Sequence, residues 1–356
     1  MIGVLKESCK RVALSPQVCK KIKDSLNADI FVESGCGINA GYSDSSYAGV
    51  AQIGNKNDVI KNSRVIITVN PPDDETLKLF SKGTILMSMF EPYNDPTIIN
   101  KLKDLELEAF SLDMIPRSTL AQAVDILSSM ASLSGYQAVV LGATELTRVI
   151  PMLTTAAGTI KPASVLVIGA GVAGLQAIAT ARRLGAKVSA FDVRSSSKEE
   201  VMSLGAKFVE VEGAKDDAGA GGYAIQQSEE FIQRQKDEIH KYASASDIII
   251  TTAQLRGKKA PILIEDRTIA AMKPGSVIID LAQRTGGNTT YTKSGKFVTD
   301  NGIIIIGDSD LAEQIPEHAS ELIANNYFNF LKLFVKDGTV HLDMSNPIIE
   351  SSLITK

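Results

Sequence analysis

Histidine is nearly missing from this chain: its 356 residues contain three, His240, His318 and His341. His240 lies in the helical run DEIHKY, His318 in PEHASEL and His341 in the tail TVHLD. None stands at the carboxyl end of a predicted strand, where ligands collect in α/β proteins, so surface or packing roles are expected for all three. Cysteine is equally sparse. Cys9, Cys19 and Cys36 are an odd set without metal-ligand spacing or neighbouring histidines, which predicts reduced structural thiols and no metal site. Excess positive charge is lacking as well: 37 Lys and Arg against 41 Asp and Glu leave a formal net charge of -4, which argues against a nucleic-acid partner. Apolar runs are short, since VIITV and GIIIIG fall well below the roughly 20 residues a bilayer requires. The start MIGVLKESCKR has no signal-peptide pattern, and a protein soluble in the cytosol or another compartment is expected.

What is present is an α/β rhythm. The length predicts two domains of about 150 residues each, both able to bury a core. Short β-branched runs alternate with helical patterns, the mark of parallel strands joined by helical crossovers. In the first half, strands are expected near 2–5 (IGVL), 29–32 (DIFV), 64–69 (RVIITV), 84–88 (TILMS) and 107–112 (LEAFSL). Ser15 before Pro16 reads as an N-cap with proline at the first helical position, opening the helix PQVCKKIKDSL. A small-residue linker, TTAAGTIKPA, precedes the strand SVLVIG, and further strands follow near 187–191, 207–211, 247–251, 276–281 and 303–306. Six strands suit a doubly wound dinucleotide domain.

The expected fold is therefore α/β, with two Rossmann-like doubly wound parallel-sheet domains and a cleft between them. Residues 1–126 with 320–356 form the first domain and residues 127–319 the second. The C-terminal stretch ASELIANNYFNFLKLFV is apolar on nearly every helical face, so it should pack back onto the body. Between the third and fourth strands of the second domain lies EGAKDDAGAGGYAIQQSEE, with Gly213, Gly219, Gly221, Gly222 and a single aromatic, Tyr223. A lid over a nucleotide site and a disordered surface insertion are both compatible with that composition.

Gly169-Ala170-Gly171-Val172-Ala173-Gly174 is a GxGxxG string, which alone is a weak signal. Its context strengthens it: the string follows the strand SVLVI, opens the helix VAGLQAIATARRLGA, and Asp192 ends the next strand. Gly169 permits the tight turn, Gly171 lets the backbone approach a pyrophosphate, and Gly174 lets helix and strand pack closely. Unpaired N–H groups at the helix N-terminus face the phosphates. Asp192 is expected to accept the adenosine ribose hydroxyls and to repel a 2'-phosphate, favouring NAD(H) over NADP(H). A solvated strand end is the plain alternative for Asp192, and nearby Arg194 could welcome a phosphate.

A self-sufficient dehydrogenase needs a proton-transferring group near the nicotinamide, and this sequence offers none. At this point its motifs become informative together. GVLKES, RVALSP, MIPRSTLAQAVDILSSMASLSGYQAV, PMLTTAAGTIKPASVLVIGAGVAGLQAIATARRLGA, FDVRSSSKEEVMSLGAKFVE, GGYA and MKPGSVIIDLA cover nearly the whole chain. The sequence resembles domain I, the soluble NAD(H)-binding component on the alpha-subunit side of the proton-translocating nicotinamide nucleotide transhydrogenases. Its most specific motif is RSTLAQAVDILSS, which is similar to the family's Arg-Gln-Asp loop. Arg117, Gln122 and Asp125 match that loop's three named positions, and Ser128 matches its serine.

The resemblance implies direct hydride transfer from NADH on domain I to NADP+ on a separate domain III, coupled to proton movement through a membrane domain II. No general acid or base is needed for that reaction, which explains the scarcity of histidine. Two nicotinamides must instead be held about 3 to 3.5 Å apart. Arg117, Asp125 and Ser128 would hydrogen-bond the carboxamide and ribose, with Gln122 reaching toward the partner nucleotide. Arg117, Gln122 and Asp125 are thus the implied catalytic set. Further implied cofactor contacts come from Gly169, Gly171, Val172, Ala173 and Gly174, from Asp192, Val193 and Arg194, from Gly222 and Tyr223, and from Thr252, Ala253 and Gln254. The plain alternative for the loop is a surface ion pair of Arg117 with Asp125 and two helix-surface residues.

A homodimer on the cytoplasmic face of the inner membrane, peripheral to its partner subunits, is implied too. The hairpin-like GGNTTYTKSGKFVTDNG suits either a dimer interface or surface decoration. Alanine dehydrogenase is the related rival. Its substrate-binding lysine aligns with Thr68 in VIITVNPP and its histidine acid/base with Glu91 in MSMFEPY, neither of which can replace the missing group. A noncatalytic NAD(H)-sensing module is a third possibility. The chain stops at SSLITK, which fits a separately encoded soluble subunit or an excised fragment.

Overall fold

A computed structural model describes residues 1–211, 229–254 and 257–356. The chain forms two compact units, Met1–Met130 with Ala312–Lys356, and Ala131–Leu311. In the first unit six strands run parallel: β1 (Ile2–Val4), β2 (Ile30–Glu33), β3 (Gln52–Gly54), β4 (Val65–Ile67), β5 (Ile85–Ser88) and β6 (Glu108–Ser111). Their order is β3-β2-β1-β4-β5-β6, the doubly wound arrangement in which winding reverses between β1 and β4. Every residue of β4 and β5 is buried, so these strands read in sequence as unbroken apolar runs. Sequence reading misses β3, because Gln52 and Ile53 are exposed on this edge strand and no alternation marks it.

Local signals set the helix after β1. The Ser15 side chain accepts the Val18 N–H, Pro16 takes the first helical position, and Asn27 ends the helix Pro16–Leu26 in the left-handed region at φ +49°. The C-terminal helix Pro316–Leu331 returns to the first unit with Ala319, Ile323, Tyr327 and Phe330 buried. Phe110 of β6 meets the rings of Phe330 and Phe334 at 5.7 and 5.8 Å. Burying a ring of this size contributes on the order of 1.5–3 kcal/mol, enough across three rings to tie the returning chain to the unit. Beyond it, the Ile354 N–H donates to the Ala109 carbonyl and covers the outer edge of β6.

Early in the second unit lies a hairpin, β7 (Leu153–Thr155) and β8 (Gly158–Ile160), in the segment expected to be a linker. Its small residues form the turn, and all six strand positions are exposed. The main sheet has seven strands: β9 (Ser164–Ile168), β10 (Lys187–Phe191), β11 (Lys207–Phe208), β12 (Ile248–Thr251), β13 (Val277–Asp280), β14 (Gly295–Val298) and β15 (Ile304–Gly307). Their order is β11-β10-β9-β12-β13-β15-β14, parallel except that β14 pairs antiparallel with β15. β14 is the strand beyond the six expected and lies in the hairpin-like stretch.

The helix Ile126–Glu145 carries the chain from the first unit into the second, and its 20 residues are long and apolar enough by composition to cross a bilayer. A search for unbroken apolar runs does not find it, because serine and glycine interrupt ILSSMASLSGYQAVVLGATE. Those small residues have a packing reason. A Cβ on Gly142 would stand 3.1 Å from the Ile248 side chain of β12, and Ala138, Val139 and Leu146 join the core over the sheet.

Candidate functional site

In the second unit the winding reverses between β9 and β12, and ligands of open α/β sheets bind beyond the carboxyl ends of strands at such a point. The chain leaves β9 through Gly169, whose φ of +99° is accessible to glycine and strained for other residues. A Cβ on Gly174 would fall 1.8 Å from the Gly169 carbonyl oxygen, so this residue is the contact between helix and turn. Gly171 is the opposite case. At φ -77° its backbone is ordinary, and a Cβ there would meet nothing within 4 Å. The helix Val172–Arg183 starts immediately after it, with no side-chain cap from Gly171. Its leading N–H groups have no intrahelical acceptor and carry the positive end of the helix dipole. A pyrophosphate fits this cradle of open backbone and unshared donors.

A further glycine builds the cradle from outside the motif. A Cβ on Gly135 would stand 2.1 Å from the Ala173 carbonyl oxygen, so the helix Ile126–Glu145 touches the first turn of the helix Val172–Arg183 backbone to backbone. Nothing in the string SLSGYQAV announces that contact.

Asp192 follows β10 with a side chain 6% exposed, which removes the solvated strand end as its description. Its Oδ2 accepts the Ala170 N–H at 2.6 Å and Arg194 Nη2 at 3.0 Å. Its Oδ1 accepts the Arg194 N–H at 2.8 Å and Arg194 Nε at 3.0 Å. The acid therefore joins the exit of β10 to the glycine turn. Val193 packs on the neighbouring apolar cluster.

The chain leaves β12 at Thr252, whose hydroxyl donates to the Gly169 carbonyl at 3.2 Å across the switch point. Ala253 is held by one side chain. Asn288 Oδ1 accepts its N–H at 3.2 Å, and Asn288 Nδ2 donates to its carbonyl at 2.8 Å and to the Pro261 carbonyl at 2.9 Å. Asn288 is fully buried, and its own N–H donates to Asp280 Oδ2 at 2.6 Å. Asp280, also fully buried at the end of β13, accepts in addition the Ala282 N–H and the Thr292 hydroxyl. Sequence reasoning missed Asn288 and Asp280. The only available signal was a polar pair in SVIIDLAQRTGGN, and the partner loop lies more than thirty residues earlier. Gln254 is exposed, while Gly222 and Tyr223 lie outside the described residues.

In the first unit, RSTLAQAVDILSS forms the 3-10 helix Thr119–Val124 and the start of the helix Ile126–Glu145. Asp125 caps that helix: Oδ1 accepts the Ser128 N–H at 2.9 Å and Oδ2 accepts the Ser128 hydroxyl at 2.6 Å. The ion pair of Arg117 with Asp125 is not formed. Arg117 and Gln122 are exposed, whereas Ala121 and Val124 are buried beneath them. From the C-terminal helix, Asn326 and Asn329 each donate a side-chain N–H to the Ala123 carbonyl, at 3.1 and 3.2 Å. A loop with polar side chains outward is thus pinned by its own backbone.

His240 pairs its Nδ1 with the Thr268 hydroxyl at 3.0 Å, and His318 and His341 are exposed. Thr68 is buried, its hydroxyl unpartnered and its carbonyl accepting the Tyr327 hydroxyl at 2.7 Å. Glu91 sits in the left-handed region at φ +49°. Burial pushes the Glu7 carboxyl up to about 7, although it accepts the N–H groups of Val69 and Asn70. Cys9, Cys19 and Cys36 are free and buried, and burial raises Cys9 to about 11 and Cys36 to about 12. Among the described residues no cluster of three His, Cys, Asp or Glu is placed to hold a metal.

Comparison with known proteins matches the family description "Alanine dehydrogenase/PNT, N-terminal domain" to residues 3–134 and "Alanine dehydrogenase/PNT, C-terminal domain" to residues 138–356. The NAD(P) transhydrogenase subunit alpha of Haemophilus influenzae is 41% identical over 365 residues, spanning 100% of this chain and 70% of that one. The crystal structure of transhydrogenase from Sinorhizobium meliloti is similar with a TM-score of 0.90 at 38% identity, covering 99% of this chain and 97% of that chain. An L-alanine dehydrogenase structure shares the fold, with a TM-score of 0.76 at 22% identity over 98% of this chain and 91% of that one.

Proposed function

This chain belongs to the alanine dehydrogenase/PNT family, and on that premise we propose that it is the NAD(H)-binding component of a proton-translocating transhydrogenase. Bound NADH would supply a hydride to NADP+ held on a partner domain III, a two-electron transfer between nicotinamides with no proton exchanged with this chain. Its own residues bind and orient. The turn at Gly169, Gly171 and Gly174, with the Val172 and Ala173 N–H groups, holds the pyrophosphate. Asp192 and Val193, with Arg194 beside them, receive the adenosine ribose, and Thr252, Ala253 and Gln254, with Gly222 and Tyr223, complete the cofactor contacts. Arg117, Asp125 and Ser128 orient the carboxamide and its ribose, and Gln122 reaches toward the partner nucleotide. In this reading a membrane-spanning domain II moves the proton, and the chain works as a homodimer peripheral to the inner membrane on its cytoplasmic side.

The supporting observation is the anchored loop. Arg117 and Gln122 stand exposed on a segment whose backbone is held by Asn326 and Asn329 at Ala123. Hydride transfer needs that combination of outward reach and fixed position more than it needs an acid or base. Mixing the chain with an isolated NADP(H)-bearing domain III should produce cyclic hydride transfer, and Gln122→Asn should slow transfer more than it weakens NADH binding. NADH binding without transfer would favour a sensing module. Pyruvate amination faster than about 1 per second, the low end of ordinary enzymes, would favour alanine dehydrogenase chemistry.

A further inference from the structure

Asp192 has two kinds of partner. The N–H groups of Ala170 and Arg194 are backbone donors fixed by the turns that carry them. The other two donors, Nε and Nη2, belong to one Arg194 guanidinium whose side chain is 24% exposed. A carboxylate offers about four acceptor positions, so this acid is fully satisfied by those four hydrogen bonds. A ribose hydroxyl can reach it only in exchange for the guanidinium.

We propose that Arg194 is an internal competitor for the adenosine ribose, and that NAD(H) binds by exchanging the two-donor arginine fork on Asp192 for the two hydroxyls of the ribose. The proposal rests on the reading that this turn binds NAD(H). The exchange is even in hydrogen bonds: two N–H donors leave and two O–H donors arrive, while the backbone pair stays. A largely buried carboxylate left with unfilled acceptors is costly, and the fork spares the protein that cost before the nucleotide arrives and again as it departs. Arg194 therefore lowers affinity and speeds release. Each turnover of a hydride carrier requires the spent nucleotide to leave, which gives a weakened grip on the ribose a use.

Titration of the full chain with NADH by calorimetry, with stopped-flow displacement for the dissociation rate, tests the exchange. Arg194→Met keeps the stem and removes both donors, and Arg194→Leu is a second donor-free variant. Both should bind NADH about two- to fivefold more tightly, the worth of a partly exposed ion pair, and release it more slowly. In an Asp192→Ala background the same substitutions should change nothing, because both oxygens that accept the fork are gone. Unchanged or weaker binding, or an equal gain in both backgrounds, would overturn the proposal. If the unaltered chain fails to bind NADH, the functional reading fails with it; if it binds and the variants show no gain, only the exchange is lost.

Discussion

Gly171→Ala and Gly174→Ala, three positions apart in one turn, should fail in opposite ways. At Gly174 a methyl group would lie 1.8 Å from the Gly169 carbonyl oxygen, against the 3.4 Å at which ordinary contact begins. Helix and turn would have to part by about 1.6 Å, and the obstacle is backbone that cannot rotate away. Overpacking costs about 1–3 kcal/mol when side chains can adjust, so a cost of about 3 kcal/mol or more is expected here. For a unit of this size that lowers Tm by roughly 6–12 °C. At Gly171 a methyl group meets nothing within 4 Å and the backbone is already in an ordinary region. Stability should change by less than about 1 kcal/mol, since the loss at the N-cap and the gain from a stiffer unfolded chain oppose each other.

What Gly171→Ala should lose is the approach of the pyrophosphate. NADH at 100 times its Kd stabilises a protein by about 2.7 kcal/mol, and a tenfold weaker variant at the same concentration keeps about 1.4. Thermal unfolding of both variants with and without NADH therefore separates the two roles. Gly174→Ala should melt early, and Gly171→Ala should melt normally but lose about half of the NADH-induced rise. A full NADH response from Gly171→Ala, or a normal Tm for Gly174→Ala, would refute the assignment of packing to one glycine and ligand approach to the other.

Two further outcomes follow from buried polar groups. Asn288→Asp turns the donor shared by the Ala253 and Pro261 carbonyls into an acceptor, which should cost at least about 2 kcal/mol in urea unfolding and weaken NADH binding; full stability would show that the clamp is dispensable. Glu7 has its carboxyl raised from 4.5 to about 7, chiefly by burial, so its folded value exceeds its unfolded one. The stability it contributes is complete below the unfolded value and is lost as pH rises through about 7, a change of at most about 3 kcal/mol. Relative to Glu7→Gln, the unaltered chain should lose stability between pH 5 and pH 8; parallel stability curves would refute it.

Features that depend on neighbours in the chain were legible in the sequence. Ser15 and Pro16 announce their helix because an N-cap acts on the next turn. Unbroken runs such as SVLVI and DIIIT announce central strands because both faces are covered. GxGxxG with Asp192 was legible because turn, helix and acid all lie within one strand-helix-strand unit. Edge elements were not. β3 exposes its side chains and β14 runs against its one neighbour, β15, so neither carries the pattern of a buried parallel strand. The β7–β8 hairpin resembled a linker because exposure removes the apolar alternation on which strand recognition depends.

Sequence alone determined the α/β class, and it marked the glycine turn, the acid beside it and, through resemblance, the Arg117–Ser128 loop as candidates. These rest on local periodicity and short spacing, which a linear string preserves. Tertiary structure decided who completes each group. Arg194 closes on Asp192, Asn288 grips Ala253, Gly135 touches Ala173, and Asn326 with Asn329 pins Ala123. Most of these contacts join residues far apart in the chain, and even the Asp192 fork depends on a side-chain conformation. Hydrogen bonds and close packing select partners by position in space, and a residue's type records only that it can donate, accept or fit.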